Sequence, residues 1–176
     1  MPTTGFTVNT HRYDPYKNYN FRLVWNNRTV LGVSKVSALK RSTEVVRHRS
    51  GGQDSFEYKS KGKTTTEAIQ IERGITHDLE FHTWAEMIGS YAGDTTINLV
   101  EYKRPLTLEF LNERQQVVHR YFLHEAWVSE YQATPDFDAN GTPVVAIEHL
   151  KIEIQGWTRD PDTREPNERD AVPPAL

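Results

Sequence analysis

The stretch "TEAIQIERGITHDLEFHTWAEMIGSY" (residues 66–91) changes its hydrophobic period halfway, and that change decides the fold class. Over 66–74, Ile69 and Ile71 fall to one side and Gln70 and Glu72 to the other. This is the two-residue alternation of a half-buried strand. From Thr76 the period becomes helical. Thr76 is placed to be the N-cap, and Asp78 and Glu80 fall in the first turn, where the helix dipole favours negative charge. Trp84, Met87, Ile88 and Tyr91 then recur at helical spacing as one apolar stripe. Gly89 and Gly93 weaken the end. The expectation is a strand followed by a helix over about 77–91. The stripe could line a ligand groove, but packing on a sheet is the ordinary use of such a face.

Outward from this stretch, β patterns dominate. "YNFRLVW" (19–25) and "RTVLGVSKVSAL" (28–39) read as two strands of a hairpin around the turn signal Asn26-Asn27. After Pro105, Leu106, Leu108 and Phe110 alternate with Thr107 and Glu109. The run 115–131 is β-rich, with a bend or break expected near His124-Glu125. The segment 144–157 ends with Leu150, Ile152 and Ile154 alternating with Lys151, Glu153 and Gln155. From 158 the chain is polar and proline-rich and reads as a tail. The whole is mainly β (α+β): about seven strands in an antiparallel barrel or sandwich, one packed helix and a long extended arm. Residues 1–157 form the expected domain and 158–176 the tail.

A chain of 176 residues suits one domain and needs no disulfide or metal to stand. It has no cysteine, which excludes a disulfide framework, a thiol nucleophile and a cysteine zinc site. The N-terminal stretch lacks an apolar core of signal-peptide length, and no run of about 18 apolar residues occurs, so no membrane span is expected and the cytoplasm is the expected place of synthesis. Net charge is only −3, but its distribution is uneven. Residues 35–63 hold eight basic and three acidic side chains, a net of +5; residues 64–160 hold seven basic and sixteen acidic, a net of −9. A basic arm is attached to an acidic body.

Motifs for chemistry are missing. "DFDANG" (136–141) matches the start of a calcium loop, but its twelfth position is Ile147, with Glu148 one residue late and Pro143 inside. A turn between strands explains the same residues. His77 and His82 are five apart on a helix and diverge; His119 and His124 are five apart in a strand and face opposite sides. No HExxH, GxSxG, GxGxxG or GxxxxGK[ST] occurs. The expectation is a protein that is not an enzyme, with no catalytic, cofactor or metal site.

The arm, "RSTEVVRHRSGGQDSFEYKSKGK" (41–63), reads as a hairpin with its tip near Gly51–Asp54 and legs long enough to reach roughly 30 Å. Phe56 and Tyr58 fall on one face, and Glu57, Lys59 and Lys61 on the other. A lone two-stranded ribbon is marginal in water, so this pattern calls for a surface to lie on. Three readings stand. The arm could be a solvated loop. It could be a nucleic-acid finger with cations for phosphates and aromatics for bases. Or it could dock on the acidic body of another copy, a head-to-tail contact that generates rings or stacks.

Taken in order, "DPYKNYNFRLVW" (14–25), "GVSKVSALKRSTEVVRHRSGG" (32–52), "EAIQIERGITHD" (67–78), "EAWVSEYQATPDFDA" (125–139) and "VVAIEHLKIEIQGW" (144–157) resemble the tail tube proteins of contractile phages and of phage-tail-like contractile injection systems. The resemblance covers about residues 14–157 and extends in fold to the type VI secretion tube subunit. It implies a non-enzymatic β-barrel-like subunit. Six copies form a ring, and the rings stack into a tube inside a sheath whose contraction drives the tube through a target envelope. It further implies sheath, baseplate and terminator or cap proteins as partners, and a lumen able to hold cargo. The arm would contact the adjacent ring, with Arg47, Arg49, Phe56, Tyr58, Lys59, Lys61 and Lys63 as contact residues. Glu109, Lys151 and Glu153 are candidates for the lumen, though an ordinary polar outer face would carry the same residues. The alternative is a nucleic-acid-binding β-barrel using the basic arm. The "TRDPDTREPNERDAVPPAL" tail runs past the family's usual final strand.

Overall fold

The computed structural model describes residues 15–49, 57–89, 101–140 and 144–167. In chain order its elements are β1 (Phe21–Trp25), β2 (Arg28–Thr29), β3 (Val33–Val36), β4 (Arg41–His48), β5 (Tyr58–Thr66), β6 (Ile69–Gly74), α1 (Glu80–Glu86), β7 (Arg104–Leu111), β8 (Val117–Gln132), β9 (Ile147–Glu153) and β10 (Gly156–Arg159). The strand pairings whose register is resolved are antiparallel, and the chain is mostly β with one short helix. No helix among the described residues is long and apolar enough to cross a membrane.

The chain forms two compact units. The first contains residues up to Leu31, Pro105–Leu123 and the chain from Thr158. Asn26 and Asn27 both adopt left-handed backbone, φ 48° and 60°, and so form the tight turn that pairs β1 with β2. β1 also pairs along its length with β7, from Phe21 opposite Phe110 to Trp25 opposite Leu106. Leu23, Trp25, Leu106, Leu108, Val118 and Leu123 are buried as its core. The turn from β7 to β8 is closed by Asn112, whose Oδ1 accepts from the backbone N–H groups of Arg114 and Gln116.

The second unit contains Gly32–Arg104 and His124–Trp157. Its sheet runs β8-β9-β6-β3. The alternation seen in the sequence is present in space: Ile69, Ile71, Val128, Leu150, Ile152 and Ile154 point into the core, and Gln70, Lys151 and Glu153 point out. α1 buries Phe81 and Trp84, and the Trp84 indole Nε1 donates to the Tyr102 carbonyl at 2.8 Å.

Three boundaries differ from those expected. The strand read over 28–39 is split. Gly32, at φ 80°, turns the chain so that β2 pairs with β1 while β3 pairs with β6. The helix starts at Glu80, not 77, and Thr76 is not its cap; Leu79 stands there with no side-chain cap bond. The reason is Arg73. Its guanidinium, buried on Glu148 and 4.3 Å over the Phe81 ring, also donates to the Asp78 side chain and carbonyl at 3.2 Å. That holds Asp78 in a turn in which its other oxygen accepts from the Glu80 N–H. Residues 90 and 91, the expected helix end, lie outside the described residues. Finally, the expected tail begins as structure. Thr158 and Arg159 complete β10, which pairs with β8, and Asp160 is buried. The expected bend at His124-Glu125 coincides with Glu125 at φ 50° inside β8.

Candidate functional site

The arm is a two-stranded antiparallel ribbon. β4 and β5 pair from Arg41 opposite Thr66 to His48 opposite Tyr58, and every residue of β4 is exposed. Eight residues at a strand's rise give a described length of about 25 Å. The register sorts the side chains into two faces. His48, Val46, Tyr58 and Ser60 share one; the His48 and Tyr58 rings stack there with centroids 5.6 Å apart. Arg47, Val45, Lys59 and Lys61 share the other. The register shifts between Thr43 and Val45, where Gly62 comes so close to β4 that a Cβ would stand 3.0 Å from the Glu44 carbonyl oxygen. That bulge lies beside Lys63. Of the residues expected to make the contact, Arg47, Arg49, Tyr58, Lys59, Lys61 and Lys63 are exposed on or beside the ribbon, and Phe56 lies outside the described residues. A long, exposed Arg47–Glu57 ion pair at 3.8 Å offsets part of this charge. Val45, Val46 and Tyr58 are 54%, 45% and 48% exposed, so the ribbon offers apolar as well as cationic surface.

The three lumen candidates separate. Lys151 and Glu153 do lie on the outward face of the second unit's sheet, in a row with Gln70, Glu130 and His149. On the same face, Glu72 bonds Lys35 at 2.6 Å and stands 4.0 Å from the His149 ring. Glu109 corrects the expectation. It is 5% exposed in the first unit, receives Arg22 Nε and Arg120 Nε at 2.8 Å each, and lines no solvent-facing surface. Arg120 continues to Asp160, whose carboxylate also accepts from the Asp162 N–H and the Thr163 hydroxyl. These contacts, the backbone donor of Asp162 foremost, hold the Asp160 carboxyl below the usual carboxylate range. The sequence reading missed this network; the only local signal was an acidic residue flanked by Leu108 and Phe110.

A second buried cluster supports the outward face from beneath. Glu148 bonds Arg73 and accepts from the Tyr131 hydroxyl at 3.0 Å. Burial, together with that carboxylate, pushes the Tyr131 phenol up to about 12. Among the described residues no group of three or more acidic or histidine side chains is arranged to hold a metal ion.

A mainly-β subunit with a projecting, unsupported ribbon is the class that this geometry defines. Residues 17–158 match the model of the T4-like virus tail tube protein gp19 family, and the chain belongs to that family. Membership makes it a structural protein of the tail tube type. The fold is similar to a chain of the anti-feeding prophage baseplate, at 20% identity over 84% of this chain and 97% of that one, TM-score 0.68. It is likewise similar to a chain of the PVC extracellular contractile injection system sheath–tube complex in the extended state, at 18% identity over 83% and 91%, TM-score 0.67. Hcp1 of Flavobacterium johnsoniae is similar at 17% identity over 80% and 94%, TM-score 0.51. No curated protein matches the chain significantly.

Proposed function

We propose that this chain is the protomer of the inner tube of a contractile phage tail or contractile injection system. Six copies form a ring, rings stack into a hollow tube, and contraction of a surrounding sheath protein drives that tube through a target envelope. Baseplate and terminator or cap proteins bound its two ends. Assembly takes place in the cytoplasm, and the finished particle is the form that can leave the cell. The role is structural: the tube supplies stiffness, a polar bore able to hold cargo, and an outer surface from which the sheath can move away.

The observation that carries this reading is the bare β4–β5 ribbon. A two-stranded ribbon of this length is not stable by itself in water, and this one leaves valines and a tyrosine exposed along both faces. A neighbouring copy in the adjacent ring supplies the missing surface through Arg47, Arg49, Phe56, Tyr58, Lys59, Lys61 and Lys63. Within a ring, β3 is the edge strand of its sheet and offers a pairing edge that assembly would cover. Lys151 and Glu153, on the outward face, are the remaining candidates for the bore. The nucleic-acid reading gains no support from the comparisons, whose family match is to tail tube proteins.

Electron microscopy of the purified full chain is the test. Sixfold rings that stack into tubes as concentration rises are expected, without added nucleic acid. A strictly monomeric mass by light scattering across the same series would overturn the proposal.

A further inference from the structure

Among the described residues of the second unit, large apolar side chains are exposed beyond the ribbon as well, on the two segments that leave one end of its sheet. β6 ends at Gly74 opposite Ile147, where β9 begins. Just beyond, the Ile75 N–H bonds the Ala146 carbonyl at 3.0 Å, tying the start of the helix connection to the β8–β9 loop. Beside that bond Val144 and Val145 are 85% and 76% exposed and Ile75 is 43% exposed; Phe137, earlier in the same loop, and Leu79, four residues beyond Ile75, are 80% and 66% exposed. Grouped apolar exposure of this kind marks an interaction surface. Glu80, Asp136 and Asp138 are exposed beside them, and Asp78 is exposed but paired with Arg73; the described rim segments, 75–80 and 133–140 with 144–145, contain no lysine or arginine.

The ribbon is the chemical complement: valines and a tyrosine with arginines and lysines. It leaves the same sheet at the opposite end. The Ser37 N–H bonds the Gln70 carbonyl and the Glu67 N–H bonds the Lys40 carbonyl, so β4 and β5 depart beside Ile69, the start of β6. Ribbon and rim therefore lie at opposite ends of β6, a separation that suits a contact between copies. Two complementary surfaces at opposite ends of one strand suit a head-to-tail contact, which can propagate along an axis.

We infer that the rim formed by residues 75–80, 133–140 and 144–145 is the receptor for the ribbon of a second copy. Resting on the tube-protomer reading, this assigns the ribbon's docking surface. Val46 and Tyr58, which share one face, settle on the rim's apolar side chains, and the long side chains of Arg47, Lys59 and Lys61 on the other face reach round the ribbon's edge to Glu80, Asp136 and Asp138. The apolar burial supplies the attraction, and the charges set which end meets which.

Reciprocal charge reversal tests this in the full chain. Asp136→Lys with Asp138→Lys on the rim, and Lys59→Glu with Lys61→Glu on the ribbon, should each leave rings intact. Each should lower the stacked fraction, counted by negative-stain microscopy, by about tenfold or more, because a loss at every repeated contact compounds. Combining all four substitutions should restore stacking. The chain has no cysteine, so Tyr58→Cys with Val145→Cys gives a clean cross-linking pair. A bis-maleimide should produce a ladder of covalent multimers from the doubly substituted protein and from neither single variant. A rim variant that stacks like the parent, or rings that stack yet yield no ladder, overturns the assignment. A parent that forms no rings overturns the tube-protomer reading itself, and the assignment with it.

Discussion

Glu109 separates a structural carboxylate from a surface one, and its replacement by glutamine measures which it is. The side chain is 5% exposed and sits between two guanidiniums, with Arg22 and Arg120 donating at 2.8 Å from their Nε atoms and Arg22 also 2.6 Å away through its NH2 group. Glu109→Gln keeps the shape and removes the charge. Breaking one partner of a fully buried ion pair costs about 3–5 kcal/mol. Here each arginine side chain is 36% exposed, so water compensates part of the loss, leaving about 2–3 kcal/mol. With a urea slope of about 1–3 kcal/mol per molar for a domain of this class, the unfolding midpoint should fall by roughly 1 M or more. Tryptophan fluorescence of dispersed subunits across a urea series reads this directly. Glu153→Gln is the control: half-buried on the outward face, it should stay within about 0.5 kcal/mol of the parent. Equal midpoints for the two variants would refute the assignment of Glu109 to the interior.

Three further outcomes are expected. Trp84→Ala should destabilise by about 3–5 kcal/mol and deplete soluble protein, while Trp84→Phe, which keeps most of the burial and loses the bond to Tyr102, should cost less in the same urea assay. Tyr131 should make stability fall at alkaline pH. Its folded phenol titrates at about 12, against about 10 for an unperturbed one. The unfolded chain therefore loses the proton first, and the contribution, complete below pH 10, disappears as pH rises towards 12. Tyr131→Phe should flatten the urea midpoint across that window. Gly62→Val should place a Cβ 3.0 Å from the Glu44 carbonyl oxygen and from Val46 Cγ2 and splay the ribbon; microscopy should then show rings with few stacks.

What the sequence by itself determined is what depends on chain neighbours. The alternation of Ile69 and Ile71 with Gln70 and Glu72, and of Leu150, Ile152 and Ile154 with Lys151 and Glu153, specified strands and their buried faces. Asn26-Asn27 specified a turn, and Trp84 was legible as a core residue on a helix. The basic, aromatic ribbon stood out for the same reason, since its charge is a property of contiguous residues. Tertiary structure alone decided which polar side chains are interior. Glu109 and Glu153 alternate with apolar residues in the same way, yet Glu109 is buried because the β1–β7 register sets Arg22 opposite it, 87 positions away in the chain. Asp160 looked like the start of a polar tail until Arg120, 40 positions earlier, was seen to hold it. Arg73 likewise moved the helix start by capturing Asp78 while resting on Glu148. A periodic pattern reports which way a side chain points from its own backbone. A buried charge is tolerated only where a counter-charge from a distant segment meets it, and that meeting exists only in the folded chain.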